Sequence, residues 1–325
     1  MTEQVRTLVV PTFGDPEVYS EQWADQFTPG PGQVLVRLTV SGVNFLDVAQ
    51  RTGATPVLAP FAAGVEGVGV VTTLGQDVTG FTTGQRVGWL AGGQGSFSEY
   101  VAVAADKLVA IPDHIDDETA VGALMQGVTA HYLTTDTFPV GQGDVVVVHA
   151  AAGGVGQLLT QIAKLKGATV IGTTSTAEKA EIARVNGADH VFGYDDFADR
   201  TREVSDGTGA SVVYDGVGAT TFADSLRSLR IRGTLVAIGS ASGPVPPINV
   251  NALNSGGSLY LTRPTVMHHI STSAELNGRA AQVFDWITSG KLGVSIGARY
   301  PIAEVAEAFR ALESRRTVGK VVLRH

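Results

Sequence analysis

The stretch Val145-Val146-Val147-Val148-His149-Ala150-Ala151-Ala152-Gly153-Gly154-Val155-Gly156 decides the fold. Four consecutive valines are typical of a strand buried on both faces, as in a parallel sheet. The segment 157–166 that follows carries its leucine and isoleucine side chains along one stripe, which predicts a helix. A strand, a tight turn and a helix are the setting in which the fingerprint G-x-G-x-x-G binds a dinucleotide, and its slots here are Ala151, Gly153 and Gly156.

Each slot of this fingerprint has a physical task. The first residue must be small for the turn, the second must lack a side chain so that a pyrophosphate can reach backbone N–H groups, and the third lets the helix pack closely on the strand. The alternative is a purely structural turn, because glycine-rich turns are common. The flanking strand and helix favour the nucleotide interpretation.

Composition narrows the class of protein. The 325 residues suffice for two domains, and 44% apolar with 17% charged residues indicates a globular chain. A net charge of −8 without a basic run argues against nucleic acid or an anionic membrane as a partner. The start of the chain is not typical of a signal peptide, and no segment has the apolar length of a membrane span, so we expect a cytoplasmic protein.

The chain has two parts with different patterns of apolar residues. Up to about residue 110, short alternating segments separated by turns, among them 33–40 and 95–101, predict a barrel-like β unit. A helical pattern over 116–135 leads to a second part in which strands and helices alternate, the pattern of a doubly wound sheet. We predict six strands for that sheet, at 145–148, 168–173, 190–192, 211–215, 234–238 and 258–262.

The predicted fold class is therefore α/β, with a Rossmann-type doubly wound parallel sheet and a discontinuous β-barrel domain. The final strand, predicted at 320–323, is expected to return to the first domain, since chain termini need anchoring. We place the barrel domain at 1–124 and 266–325, and the nucleotide-binding domain at 125–265.

The end of the second strand of the sheet distinguishes NAD from NADP. An acidic residue there binds the ribose hydroxyls of NAD and repels a 2′-phosphate. In this chain the stretch 173–176 contains only threonine and serine, Lys179 follows one helical turn later, and the nearest acid, Glu178, lies inside the helix. Hydroxyls, backbone N–H groups and an ammonium suit a phosphate dianion, which favours NADPH. Taken alone, Lys179 is more typical of a solvated helix residue than of a phosphate ligand.

Several motifs resemble the quinone oxidoreductase (zeta-crystallin-like) branch of the medium-chain dehydrogenase/reductase superfamily. They are VNFLD at 43–47, HAAAGGVG at 149–156, STAEK at 175–179, YDGVG at 214–218, GSLYLTRP at 257–264 and LESR at 312–315. The resemblance covers essentially the whole chain. It implies an NADPH-dependent reductase with a GroES-like catalytic domain and a Rossmann domain.

The resemblance also implies the site residues. Asn44 and Asp47 would position the substrate and the nicotinamide, without a clear acid or base. Lys179, Tyr194 and Arg315 would gather around the 2′-phosphate. The full set of cofactor-binding residues that it implies is Asn44, Leu46, Thr129, Tyr132, Gly153, Gly154, Val155, Ser175, Lys179, Tyr194, Gly216, Ile238, Gly239, Ser240, Leu261, Thr262, Arg263 and Arg315.

The zinc-dependent members of that superfamily use cysteine and histidine ligands. This chain has no cysteine, and Ser41 and Val65 stand where those relatives place a cysteine and a histidine, so we expect no metal. Without a Lewis acid, the protein has no group to stabilise the alkoxide that alcohol oxidation requires. Quinone reduction needs less catalytic assistance, because hydride addition restores aromaticity and the product phenolate is a weak base. Conjugated enones and alkenals are the alternative substrates, since an enolate is also stabilised.

One position departs from the family pattern. The family has a tyrosine two residues after the aspartate of the VNFLD motif, where this chain has Ala49, so the pocket is expected to be wider and the substrate class stays open. Trp89 either refills this space or belongs to the core, and the core is the commoner place for a tryptophan in a strand. His149 is expected to be a satisfied structural histidine rather than a catalytic one.

Two further hypotheses concern turnover and assembly. A nucleotide-binding sensor or structural protein without turnover is the alternative from another functional class, and the motifs on the phosphate and nicotinamide sides argue against it. The sixth strand, 258–262, would lie at the edge of the sheet and carries no protecting lysine or proline, which makes it a pairing surface. The resemblance implies that two copies pair there, so we expect a homodimer.

Overall fold

The structure is a computed structural model, and it describes residues 4–325. The strands in chain order are β1 Gln4–Val10, β2 Ser20–Asp25, β3 Gln33–Val43, β4 Phe61–Ala62, β5 Glu66–Leu74, β6 Arg86–Leu90, β7 Tyr100–Ala104, β8 Val109–Ala110, β9 Val145–Val148, β10 Thr169–Thr173, β11 His190–Phe192, β12 Ala210–Asp215, β13 Leu229–Ala237, β14 Tyr260–Thr262, β15 Ile296–Pro301 and β16 Lys320–Arg324.

The α-helices in chain order are α1 Phe45–Arg51, α2 Asp117–Gly122, α3 Val128–Tyr132, α4 Gly154–Leu165, α5 Ala177–Val185, α6 Phe197–Val204, α7 Phe222–Ser228, α8 Asn251–Ser255, α9 Val266–His269, α10 Ser273–Thr288 and α11 Val305–Glu313. Two π-helical turns, Ala123–Gly127 and Leu133–Thr137, flank α3. Short 3₁₀ turns occur at Pro16–Val18, Ala105–Lys107 and Ile302–Glu304. No helix within residues 4–325 is long and apolar enough to cross a membrane.

The chain divides into two compact units. The first, which we call the β unit, contains the described residues up to Val128 together with 270–289 and 294–325. The second, which we call the Rossmann unit, contains 129–269 and 290–293.

The Rossmann unit is built on a six-stranded sheet in which every strand pair is parallel, in the order β11-β10-β9-β12-β13-β14. This confirms the predicted doubly wound sheet and its six strands. Val146, Val147 and Val148 have no exposed surface, because β9 lies at the centre of the sheet with helices on its faces. Strand β14 is the edge, as predicted, and its Tyr260 is 59% exposed.

The β unit contains two sheets. One has the order β2-β1-β4, and the other has the order β15-β16-β3-β5-β6-β8 with β7 also paired to β3. Strand β16 lies antiparallel to β3, with Val321 opposite Val43, so the end of the chain returns to this unit as predicted. Trp89 has no exposed surface and packs among the valines of the central strands, which places it in the core rather than in a pocket.

One strand prediction was wrong in its extent. The segment predicted at 95–101 becomes a regular strand only at Tyr100, because its first residues pair with several neighbours in turn instead of one. Ser96 N–H donates to the Gly64 carbonyl, while Phe97 donates to Ala63 and accepts from Leu8. Glycine and serine at its start provide that irregular backbone but leave no periodic signal in the sequence.

The alternation rule also missed several elements. The elements that were not predicted are strands β2, β4, β8 and β15 and helices α6, α8 and α9. Five of the six residues of β2 are exposed, and β15 alternates only half-buried with exposed residues, so neither strand has a clear apolar face. The predicted helix over 116–135 is present, but the two π-helical turns interrupt its α-helical geometry.

Candidate functional site

The loop between β9 and α4 leaves room for backbone alone. A Cβ atom on Gly156 would lie 2.3 Å from the carbonyl oxygen of Ala150, and one on Gly153 would lie 3.2 Å from the same oxygen. Ala150 itself adopts a left-handed φ of 51°, which closes the turn. Gly153 is the N-cap of the 12-residue helix α4, whose first N–H groups have no intrahelical acceptor. This loop therefore fits the pyrophosphate of a dinucleotide.

Hydroxyl groups surround the carboxyl end of β10. Thr176 caps α5, and its Oγ1 accepts the Lys179 N–H at 3.2 Å, so Lys179 lies in the first helical turn. The Thr174 hydroxyl donates to the Thr176 carbonyl at 3.3 Å. Tyr194 lies two residues after the end of the neighbouring strand β11. The absence of a carboxylate at 173–176 suits a phosphate group on the adenosine ribose better than free hydroxyls.

The ends of β12 and β13 approach each other closely. A Cβ atom on Gly239 would lie 2.7 Å from the Gly216 carbonyl oxygen, so position 239 does not tolerate a side chain without a shift of the backbone. A Cβ atom on Gly216 would only contact the Ile238 side chain, at 3.6 Å. The Ile238 and Gly239 N–H groups both donate to the Asp215 carbonyl, at 2.8 and 3.3 Å. Three of the predicted cofactor residues, Gly216, Ile238 and Gly239, are thus brought together at this edge of the sheet.

A cavity of about 360 Å³ lies beside the end of the edge strand β14. It is lined by Thr137, Thr234, Tyr260, Leu261, Thr262, Pro264 and His269. The His269 ring stacks on Tyr132 with 4.1 Å between ring centroids, and its Nδ1 lies 3.7 Å from Asp136 Oδ2. The predicted residues Leu261 and Thr262 therefore share a cavity with His269.

In the β unit, Asn44 and Asp47 form the start of α1. Asn44 is the N-cap, and its backbone N–H donates to Asp47 Oδ2 at 2.8 Å, so both residues take part in capping α1. The side-chain oxygen of Asn44 accepts from Lys320 Nζ at 2.8 Å. Its Nδ2 donates to Glu66 at 3.0 Å and to the Gly42 carbonyl at 3.3 Å. Because a lysine can only donate and a carboxylate only accept, the orientation of this amide is fixed.

Glu66 and Lys320 form an ion pair with no exposed surface on either side chain. The distance from Lys320 Nζ to Glu66 Oε2 is 2.5 Å. The other carboxylate oxygen, Oε1, accepts the Met125 N–H at 2.6 Å, inside the first π-helical turn. Turns of this kind are frequent at functional sites. The pair therefore joins β5, β16 and this turn around the Asn44 amide.

This ion pair could not be identified from the sequence. The only signals are one acid in the otherwise apolar stretch 64–71 and one lysine at the start of an apolar terminal strand. The two residues are 254 positions apart, so no local pattern joins them.

Asp47 is almost fully buried, at 3% exposure. Burial raises the pKa of its carboxyl to about 7, against the effect of the hydrogen bond from the Asn44 backbone. Lys320 lowers the pKa of Asp47 and Glu66 raises it. The second carboxyl oxygen of Asp47, Oδ1, has no hydrogen-bond partner among residues 4–325. The structure therefore places an aspartate with a pKa raised to about 7 next to Asn44.

A zinc ion does not fit the residues of this site. The chain has no cysteine, and residues 4–325 contain no group of three or more His, Asp or Glu side chains arranged to hold a metal. Glu66 is already neutralised by Lys320. Ser41 donates to the Ser96 carbonyl and lies 2.8 Å from His325 Nε2, so its hydroxyl is engaged elsewhere.

The predicted site residues fall into both units. Those in the β unit are Asn44, Leu46, Asp47 and Arg315. Those in the Rossmann unit are Thr129, Tyr132, Gly153, Gly154, Val155, Ser175, Lys179, Tyr194, Gly216, Ile238, Gly239, Ser240, Leu261, Thr262 and Arg263.

The fold and the glycine-rich loop between β9 and α4 define a class of protein, the medium-chain dehydrogenases/reductases. Residues 30–113 match the family described as alcohol dehydrogenase GroES-like domain. Residues 154–289 match the family described as zinc-binding dehydrogenase. The second description refers to a metal whose ligands this chain lacks, as the missing cysteines show.

Individual relatives narrow the class. The chain is 40% identical to the quinone oxidoreductase of Pseudomonas aeruginosa over 314 residues, which is 96% of this chain and 97% of that one. It is 40% identical to the 2-haloacrylate reductase of a Burkholderia species over 328 residues, 98% of each chain. A mycobacterial protein solved in complex with NADPH superposes with a TM-score of 0.95 at 44% identity, covering 99% of this chain and all of that one. The chain belongs to the quinone oxidoreductase family.

Proposed function

We propose that this protein is an NADPH-dependent quinone oxidoreductase that works without a metal ion. The observation that carries the proposal is the shape of the loop between β9 and α4, where a Cβ on Gly156 would lie 2.3 Å from the Ala150 carbonyl oxygen. The end of the neighbouring strand β10 has no acidic residue at 173–176, which favours NADPH over NADH. The names of the relatives support both parts of it, since one is a quinone oxidoreductase and another was solved with NADPH.

The residues that would hold NADPH follow from the chemistry of their groups. The N-terminus of α4 and the bare backbone at Gly153 would receive the pyrophosphate. Ser175 and Lys179 after β10, together with Tyr194 after the neighbouring strand β11, would receive the 2′-phosphate. Arg315, Asn44 and Leu46 stay predictions that rest on the family resemblance. When bound, NADPH supplies the hydride that reduces the substrate.

The chain's own contribution is mainly positioning. The Asn44 amide, held by Lys320 and Glu66, would present a fixed dipole to a substrate or nicotinamide group. Burial raises the pKa of Asp47 to about 7, but its Oδ2 already accepts a hydrogen bond from the Asn44 N–H, so we assign it to positioning. The phenolate formed by reduction of a quinone is a much weaker base than an alkoxide, so water suffices to protonate it.

An activated alkene is the second candidate substrate. The specific observation in its favour is the 40% identity to a 2-haloacrylate reductase over 98% of this chain. Ala49, in place of the family's tyrosine, is compatible with either substrate because it removes bulk without adding a charge.

A steady-state assay tests the proposal. We expect quinone-dependent oxidation of NADPH that is faster than that of NADH, in a panel that also contains 2-haloacrylate and simple enones. Rapid turnover of the alkenes with none of the quinones would favour the second candidate. NADPH binding without turnover of any acceptor would contradict both and favour a nucleotide-binding protein.

We also propose a homodimer that pairs two copies through β14. This strand is the edge of the Rossmann sheet, contains no lysine or proline, and exposes 59% of Tyr260. Replacing Tyr260 by lysine should therefore shift the sedimenting mass towards the monomer. Val185→Lys, which places the same charge on an apolar position of α5 that is 78% exposed, should not. A wild-type protein that sediments as a monomer at micromolar concentration would refute the dimer.

The location in the cytoplasm remains a prediction from the sequence. Cell fractionation with an antibody against the chain would test it.

A further inference from the structure

A chain of hydrogen bonds crosses the carboxyl ends of three central strands of the Rossmann unit. His149 Nδ1 lies 2.7 Å from the Thr173 hydroxyl, and its Nε2 lies 2.9 Å from the Ser225 hydroxyl. The Ser225 hydroxyl in turn donates to Asp215 Oδ2 at 2.9 Å. All four side chains are at most 3% exposed. The chain Thr173–His149–Ser225–Asp215 therefore connects β10, β9, α7 and β12 through direct contacts between side chains.

The direction of these hydrogen bonds can be deduced from one end. The Asp215 carboxylate accepts from the Val217 and Gly218 N–H groups and from the Thr221 hydroxyl, so it is an acceptor throughout. Ser225 must then use its proton towards Asp215 and accept from His149 Nε2–H. The remaining ring nitrogen, Nδ1, is left to accept the proton of the Thr173 hydroxyl.

The imidazole stays neutral in this environment. Burial lowers the pKa of His149 to about 4, and the nearby Asp215 opposes that effect only in part. A neutral ring with one donor and one acceptor is what the two hydroxyl partners require. His149 is thus the satisfied histidine that the sequence predicted, and its bonds reach further than the strand that carries it.

Two residues next to His149, Thr173 and Tyr194, lie at the base of the proposed 2′-phosphate site. Thr173 is the last residue of β10, immediately before the segment with Ser175 and the helix start that contains Lys179. The Tyr194 ring, which follows β11, lies 6.0 Å from the His149 ring between centroids. The other end of the hydrogen-bond chain, at Ser225 and Asp215, faces the segment after β12 instead.

We propose that His149 is a positioning residue for NADPH selectivity: it fixes the end of β10 through Thr173 and supports Tyr194, and thereby holds the groups that receive the 2′-phosphate. The inference rests on the proposed function, because it assumes that NADPH binds to this unit. It predicts that the Thr173 side of the chain affects the phosphorylated cofactor alone, whereas the Ser225 side affects the unit as a whole.

Two hydroxyl deletions test this asymmetry. Thr173→Val and Ser225→Ala each remove one hydroxyl partner of the same ring, and both wild-type side chains are fully buried. Dissociation constants for NADPH and NADH, and for 2′,5′-ADP and 5′-ADP as probes without nicotinamide, can be measured by fluorescence or calorimetry. Thr173→Ser restores the hydroxyl and serves as the rescue variant.

We expect Thr173→Val to weaken NADPH and 2′,5′-ADP by about tenfold and to change NADH and 5′-ADP by less than about twofold. Thr173→Ser should bind like the wild type. Ser225→Ala should change the phosphorylated and unphosphorylated ligands by the same factor. If Thr173→Val does not fold, His149→Gln carries the same expectation, because its amide nitrogen replaces Nε2 towards Ser225 and leaves Thr173 without an acceptor.

Lys179→Ala separates the failure of this inference from the failure of the proposed function. A selective loss of NADPH in Lys179→Ala with no selective loss in Thr173→Val overturns the role of His149 and leaves the cofactor site intact. Equal losses of NADPH and NADH in Lys179→Ala overturn the cofactor site itself, and the inference falls with it. Equal selectivity changes in Thr173→Val and Ser225→Ala also overturn the proposed asymmetry.

Discussion

Replacing Lys320 by methionine is expected to lower the free energy of unfolding by about 3–5 kcal/mol. The ammonium of Lys320 is the cationic partner of the buried Glu66 carboxylate, at 2.5 Å, and neither side chain has any exposed surface. Methionine has a similar length but no charge, so it would leave an uncompensated carboxylate in the interior. Urea denaturation of the wild type and the variant at the same pH measures the loss.

The double variant Lys320→Met/Glu66→Gln tests the origin of that loss. Glutamine keeps an oxygen that can accept the Met125 N–H and removes the charge, so part of the lost stability should return. Arg200→Met is the matched control, since it breaks the exposed pair with Glu203 at 2.7 Å and should cost less than about 1 kcal/mol. A cost for Lys320→Met as small as that of Arg200→Met would contradict the importance of the buried pair.

The Rossmann sheet could be predicted because its signals are local. Consecutive apolar residues identify strands that are buried on both faces, and the turn chemistry at Gly153 and Gly156 lies within one short stretch. The structure gives the physical reason for the third glycine, since a Cβ on Gly156 would collide with the Ala150 carbonyl. The edge position of β14 followed from the usual strand order of such sheets.

The supporting side chains could not be predicted in the same way. Glu66 and Lys320 meet only because β3 pairs with both β5 and β16, and that pairing has no signature in the sequence. His149 was recognised as a structural residue, but its partners Thr173 and Ser225 come from positions 24 and 76 residues away. Residues that bind a ligand through backbone groups leave motifs, whereas residues that hold other side chains depend on tertiary structure.

Strands with little burial were also missed for a physical reason. β2 exposes five of its six residues, so its position is set by backbone pairing with β1 rather than by an apolar face. Periodicity can detect a face only where one side of the strand is buried.

Asp47→Asn should change how stability depends on pH. Burial raises the pKa of Asp47 from 3.8 to about 7, so the folded protein holds a proton that the unfolded chain releases. The stabilisation from that proton is complete below about pH 3.8 and is lost as the pH rises through about 7. At 1.36 kcal/mol per pH unit, this interval corresponds to roughly 4 kcal/mol.

The measurement is the difference in the free energy of unfolding between Asp47→Asn and the wild type, from pH 4 to pH 8. Because asparagine has no proton to lose, the difference should move in favour of the variant by up to roughly 4 kcal/mol over this range. His149, whose pKa is lowered to about 4, gives stability the opposite slope below pH 6.5, but it is present in both proteins and cancels in the difference.

Asp116→Asn is the matched control, because Asp116 also starts a helix and accepts the Thr119 N–H at 2.9 Å. Burial alone would raise the pKa of Asp116, but the hydrogen bonds from Thr119 outweigh it and lower the pKa. The control variant should therefore lose stability relative to the wild type as the pH rises through the acidic range, the opposite sign from Asp47→Asn. A difference curve for Asp47→Asn that stays flat between pH 4 and pH 8 would contradict this prediction. It would show that Asp47 is ionised in the folded protein over this range and that the buried site carries an additional negative charge.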